Sequence, residues 1–233
     1  MNRTNNLDVL LWGRFGRWLC FLLASTSIAC LLLEFYGICP MRTGVLFIFL
    51  PASVCLFLLA LFDKRHGDAH LCKAVVMGCI AGLIAAVAYD VFRLPFVFAK
   101  EWHVTGIFPP LSLFKVFPRF GAMILGELTE QTTYSTLAQI LGWTYHFSNG
   151  AAFGIMYLAL ICDPRQRSWW WGIVFATGIE IAMLLTPYTS AFAIRTTSAF
   201  IVATLSAHVI FGCALGKAAQ HLAGVRCGKK SCS

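Results

Sequence analysis

Residues 74–97 read AVVMGCIAGLIAAVAYDVFRLPFV, and this stretch decides the fold class. No charged residue occurs before Asp90. A helix crossing the ~30 Å hydrocarbon layer of a bilayer needs about 20 mostly apolar residues, and a strand run is far shorter. Gly78 and Gly82, four residues apart, mark a helix face that another helix can approach closely. Asp90 and Arg93 then arrive near the far end, just ahead of Pro95.

Five more runs of this kind flank it, at 18–38, 44–62, 135–161, 169–188 and 197–218. None shows the two-residue alternation of a membrane barrel. The whole chain of 233 residues is 59% apolar and 12% charged, against ~45–50% and ~25% in soluble domains. A soluble domain of this size could not hide that much apolar surface. Disorder, collagen, coiled coil and a secreted disulfide scaffold are excluded by the same numbers. The expected fold is an all-α, polytopic transmembrane helical bundle of about six spans. The first two runs carry few polar residues and the last four nearly all of them, which divides the chain into an N-terminal transmembrane hairpin (1–70) and a four-helix transmembrane unit (71–233) ending in a short basic tail.

The net charge is +8. No basic helix or aromatic–basic platform is present, so nucleic acid is not an expected partner; the basic residues sit in short links between apolar runs. With the N-terminus inside, twelve of the 18 lysines and arginines fall on the inner side: Arg3, Arg14, Arg17, Lys64, Arg65, Lys73, Arg165, Arg167, Lys217, Arg226, Lys229 and Lys230. Six fall outside: Arg42, Arg93, Lys100, Lys115, Arg119 and Arg195. This bias predicts that both termini face the cytoplasm, with Trp169, Trp170 and Trp171 at the cytoplasmic interface. The run that begins at Trp18 is too long for the h-region of a signal peptide and lacks a small-x-small site, so it reads as a retained first span. The ten cysteines form no CxxC, and most lie inside apolar runs, as small hydrophobes do. Cys227 and Cys232, with His221 nearby, have the wrong spacing for a zinc knuckle.

The long link 98–134 contains Leu113, Val116, Phe117, Phe120 and Ile124 at helical spacing, with Lys115 and Arg119 on the opposite side and Pro109 and Pro110 ahead of them. The pattern predicts an amphipathic interfacial helix on the outer leaflet, between spans three and four; a lid packed over the mouth of the bundle produces the same pattern.

Three GxxxG pairs occur: Gly78–Gly82, Gly150–Gly154 and Gly212–Gly216. They offer faces for packing within the chain, for a homo-oligomer or for a membrane complex. The polar residues share those faces. Gly82, Ala86, Asp90 and Arg93 align in the third span; Gly142, His146, Asn149, Gly150 and Phe153 in the fourth; Ala176, Glu180 and Met183 in the fifth; Thr204, His208, Gly212 and Gly216 in the sixth. His146, Glu180 and His208 lie near the middle of their spans. A charge at the bilayer centre costs ~2.5–3.5 kcal/mol on insertion scales. Groups this expensive are expected to converge, with Asp90 paired to Arg93 and Glu180 protonated or facing an imidazole. The candidate site is therefore Asp90, Arg93, His146, Asn149, Glu180 and His208, binding a ligand or relaying protons.

Imidazoles and carboxylates can hand protons along a chain, which makes handling of protons, ions or a small solute the leading reading. The alternatives are a metal at His146, His208 and Glu180, haem held between His146 and His208, and a scaffold subunit with no chemistry. Glu-x-x-His pairs, HExxH, phosphate loops and GxSxG are absent from the sequence, so no cofactor is favoured.

From the third span onward, residues ~74–218 resemble the YagU-type bacterial inner-membrane proteins. The features carrying the resemblance are Ala81-Gly82, Pro109-Pro110 ahead of an amphipathic stretch, His146 followed by Phe153-Gly154 and Tyr157, Trp171-Gly172, Pro187 and His208. The two N-terminal spans are additional to that pattern, and Asp90-Val91-Phe92-Arg93 departs from it. The resemblance implies a bacterial inner-membrane location and no particular chemistry.

Overall fold

The structure, a computed structural model, describes residues 13–228. Among these residues there are eight α-helices and no strand: α1 (Arg14–Phe35), α2 (Met41–His66), α3 (His70–Val97), α4 (Val116–Leu125), α5 (Thr136–Ile161), α6 (Trp171–Leu184), α7 (Tyr188–Ala191) and α8 (Ser198–Gly228). Arg3, Lys229, Lys230 and Cys232, and the side chains of Arg226 and Cys227, lie outside what is described, so the tail reading has no structural counterpart here.

Local chemistry sets the boundaries. Ser135 caps α5, its hydroxyl accepting from the Ala138 amide at 3.1 Å. Asp63, fully buried in the last turn of α2, accepts from the Cys72 amide in the first turn of α3 at 2.9 Å and so holds that hairpin closed. Pro51 has no N–H to donate, and the turn just before it (Val45–Phe49) widens into a π-helical turn. Pro187 likewise terminates the fifth run.

Four helices are long and apolar enough to cross a membrane: Arg14–Phe35, Met41–His66, His70–Val97 and Ser198–Gly224. Two of the six expected spans fall short by different routes. Helix α5 has 26 residues, ample length, but Gln139, His146 and Asn149 make it too polar. Its position answers this, because α5 is the central helix, packed against α1, α3 and α4. Helix α6 is apolar but has 14 residues, about 21 Å at 1.5 Å per residue. Helix α8 packs on α3 and α6, and α2 sits at the periphery on α1 and α3.

The N-terminal pair packs against the rest of the chain. Helix α1 buries Cys20, Ala24, Ser27, Cys30 and Leu31. Cys20 and Ala24 share a core with Ala152, Ile155 and Met156 of α5, while the Tyr145 hydroxyl donates to the Ser27 carbonyl. Of the two arrangements that fit the α4 pattern, the packing supports the lid. The apolar face of α4 is turned into the bundle: Val116, Phe117, Phe120 and Met123 are buried in one core with Leu31, Met41 and Tyr145. Glycines allow this. A Cβ on Gly121 would lie 2.8 Å from the Ala138 Cα, and one on Gly142 would strike the Phe117 carbonyl. Helix α4 is thus a lid packed on α5.

Candidate functional site

The GxxxG faces are occupied inside the chain. A Cβ on Gly78 would sit 2.7 Å from the Ile155 Cα, and one on Gly82 would strike the Gly150 carbonyl. One on Gly154 would strike the Gly78 carbonyl, while Gly172 and Gly212 block each other in the same way and Gly216 abuts Trp169. Two backbone-to-backbone seams result, α3 on α5 and α6 on α8. All three glycine pairs are thus used in packing within the chain.

These seams determine where the polar groups meet. Moving from Gly82 along α3 toward the lid leads to Ala86, Tyr89, Asp90 and Arg93. From Gly150 back along α5 the same direction leads to Asn149 and His146. From Gly172 along α6 it leads to Ala176 and Glu180, and from Gly212 back along α8 to His208. A cavity of about 120 Å³ lies at this level, lined among others by Arg93, His146, Asn149, Glu180 and His208. Asp90 stands directly behind the wall, in contact with two lining residues.

Two imidazole–carboxylate pairs result. His146 Nε2 is 2.9 Å from Asp90 Oδ2. His208 Nε2 is 3.4 Å from Glu180 Oε2. His208 Nδ1 lies 2.9 Å from the Thr204 carbonyl; a carbonyl only accepts, so Nδ1 carries a hydrogen and Nε2 is left to share a proton with Glu180. Asp90 Oδ1 also faces Arg93 Nη1, at 3.6 Å, while Arg93 Nη2 donates to the Leu113 carbonyl at 2.6 Å. Asp90, Arg93, Asn149 and Glu180 are all buried.

Tyr89 joins the two halves, its ring centroid 5.0 Å from that of His208 and 6.1 Å from that of His146. The guanidinium of Arg93 lies over the same ring at 4.7 Å. His146 stacks on Phe117 of the lid at 4.1 Å. Sequence reasoning overlooked Tyr89 and Tyr188, both of which line the cavity. For Tyr89 a signal existed, because it stands four residues before Arg93 and so shares its face. Tyr188 follows the helix break at Pro187 and carried no periodic signal.

The donor set does not fit the metal and haem alternatives. Among the described residues no three His, Cys, Asp or Glu side chains gather to hold an ion. His146 and His208 are separated by Tyr89, and the cavity is smaller than the ~300–1,000 Å³ of ordinary ligand pockets.

Comparison with curated proteins and with solved structures gives no match. Comparison with family models gives one: DUF6789, a family of unknown function, over residues 72–229. The matched region begins in the first turn of α3 and takes in every polar residue that the helices bring to the cavity. The chain therefore belongs to the DUF6789 family.

Proposed function

We propose that this protein handles protons inside a bacterial inner membrane, through the pairs Asp90–His146 and Glu180–His208. The observation that carries this reading is the meeting of two imidazole–carboxylate pairs, drawn from four helices, at one small cavity. Each pair can take up or release a proton with little change of geometry, and Tyr89 stands between them. A volume of about 120 Å³ exceeds the ~10–15 Å³ that holds one water, enough for a short hydrogen-bonded chain. The pairs also answer the cost of placing such groups in lipid, because each has its partner.

In this reading six helices cross the bilayer, with α6 continued by the α7 turn and α5 shielded from lipid by its neighbours. The Lys and Arg excess supports cytoplasmic termini, and the resemblance to YagU-type proteins supports the inner membrane. The glycine seams then form the cytoplasmic half and the lid-covered cavity the outer half.

The test is proton flux into liposomes containing the purified full chain, driven by a potassium diffusion potential and read with a trapped pH-sensitive dye. Glu180→Gln and His146→Ala are expected to lower the flux at least tenfold while the protein still inserts and elutes as a single species. Wild-type flux from both variants overturns the proposal.

A further inference from the structure

The corner where the α5–α6 link meets α8 carries exposed cations with no acid to pair them. Gln220 of α8 donates to the Arg167 carbonyl at 2.7 Å. One turn earlier on α8, the Lys217 ammonium lies 5.1 Å from the centroid of the Trp169 ring. Gly216 abuts the Trp169 carbonyl, so backbone contact holds the corner in place. Asp163, the one acid in this link, is 2.8 Å from Arg165. Arg167 and Lys217 are exposed and have no carboxylate within ion-pair reach among the described residues. Trp169, Trp170 and Trp171 are exposed beside them. From Trp171 a stripe of Val174, Gly178 and Ile181 runs along α6, its members three or four residues apart. Val174 and Ile181 are exposed, and a Cβ on Gly178 would meet nothing within 4 Å, which leaves a shallow notch between them.

We infer that this corner holds one anionic phospholipid, its phosphate against Lys217 and Arg167 and an acyl chain along the α6 stripe. Charge selects the headgroup. A phosphate oxygen accepts charge-assisted hydrogen bonds from an ammonium and a guanidinium alike. The Trp169 ring steadies the Lys217 ammonium from one side, and its remaining N–H groups can turn to a ligand. Two cations without an acid favour a headgroup of net negative charge, because the ammonium of a zwitterionic headgroup would be repelled by both. Length selects the body. Trp171 to Ile181 spans about 15 Å at 1.5 Å per residue, which is one leaflet of a ~30 Å hydrocarbon layer. Free phosphate has nothing to lay on that stripe, and an acidic peptide has no chain suited to a surface that faces lipid. Tryptophan rings sit at the headgroup level of a bilayer, and basic clusters at the ends of membrane helices attract anionic lipids. None of these residues lines the cavity, so the inference stands apart from the proton reading.

Native mass spectrometry tests this, on the full chain released from nanodiscs of phosphatidylcholine with a minor share of phosphatidylglycerol. One retained phosphatidylglycerol per chain is expected, in preference to phosphatidylcholine. Lys217→Gln combined with Arg167→Gln should lower that retention at least fivefold, and Trp169→Leu about two- to threefold. Lys64→Gln combined with Arg65→Gln removes the same two charges from the exposed end of α2 and should leave retention unchanged. Should the first pair fail to fold, Arg167→Gln alone should still lower retention at least twofold. Equal losses from the two pairs overturn the inference, because they assign the lipid to diffuse charge. Wild-type retention by the folded Lys217→Gln, Arg167→Gln chain overturns it as well, and so does equal retention of phosphatidylcholine. Displacement of the lipid by millimolar inorganic phosphate overturns it too, since the cations would then belong to a free anion.

Discussion

The same two helices, α3 and α5, meet twice in different ways. At Gly78, Gly82, Gly150 and Gly154 they touch backbone to backbone, with no room for a single added methyl. Two turns further on, at Asp90, Arg93, His146 and Asn149, they face each other through long polar side chains around a cavity. Lipid tails are as apolar as leucine, so helices in a bilayer gain little from burying apolar side chains against each other. They are held by close contact and by hydrogen bonds. The glycine end supplies the close contact and fixes where the helices cross. The polar end can then keep buried groups in register, and there the contacts depend on charge instead of shape.

The largest effect that would sharpen this contrast belongs to Asp90. One carboxylate faces both Arg93 and His146, so Asp90→Asn leaves a buried guanidinium without its counter-charge. Breaking a buried ion pair from one side costs about 3–5 kcal/mol. Thermal unfolding of the purified variant should show a loss of that size, and adding Arg93→Gln should recover part of it. A loss below about 1 kcal/mol would mean that charge does not hold this end together.

Next in size is the glycine end. Gly82→Ala drives a methyl into the Gly150 carbonyl, and overpacking of this kind costs about 1–3 kcal/mol. Gly178 offers the control on α6, because a Cβ there meets nothing within 4 Å. Gly178→Ala should stabilise by about 0.5–1 kcal/mol, since alanine loses less backbone freedom in a helix. The same substitution with opposite signs, read by the same unfolding assay, isolates the seam. Equal effects at both positions would break the comparison.

Periodicity in the sequence revealed faces but not partners. The four-residue spacing of the glycines was visible, yet nothing in it said that Gly82 meets Gly150 or that Gly172 meets Gly212. Mid-run Glu180 and His208 stood out because charge in an apolar stretch is costly, and the structure brings them to one cavity. The helix at 113–125 was legible as amphipathic, but an apolar stripe is the same whether it meets lipid or α5. Glycines 121 and 142, which decide the matter, are 21 positions apart and carry no local signal. The truncated fifth helix was hidden because its 14 residues, Trp171–Leu184, sit inside a longer apolar run that begins at Trp169 and continues through Leu185. Tyr89 was missed because one aromatic among alanines and valines reads as lipid-facing.

The smallest effect is the most instructive about charge. Asp163 and Arg165 form a better ion pair than Asp90 and Arg93 by distance, 2.8 Å against 3.6 Å. The Asp163 pair is in the turn between α5 and α6, its side chains 26% and 51% exposed, against 12% and 5% for the α3 pair. Hydrogen bonding to Arg165 holds the Asp163 carboxyl below the ordinary carboxylate range. A carboxylate depressed in the fold contributes stability above its unfolded value of ~3.9 and loses it as the pH falls through the folded value. Its contribution is therefore complete at neutral pH, yet exposed pairs amount to only about 0–1 kcal/mol. Asp163→Asn should shift unfolding within that range at pH 7. Salt should erase the shift, since the screening length falls to ~3 Å at 1 M, and so should acid below the folded value, where the wild-type carboxyl is itself neutral. The Asp90→Asn loss should persist in the same salt, because buried charges are screened far less. Were the turn pair to cost as much as the α3 pair, or the α3 loss to vanish in salt, burial would not be what separates them, and the polar end would be as open to solvent as the turn.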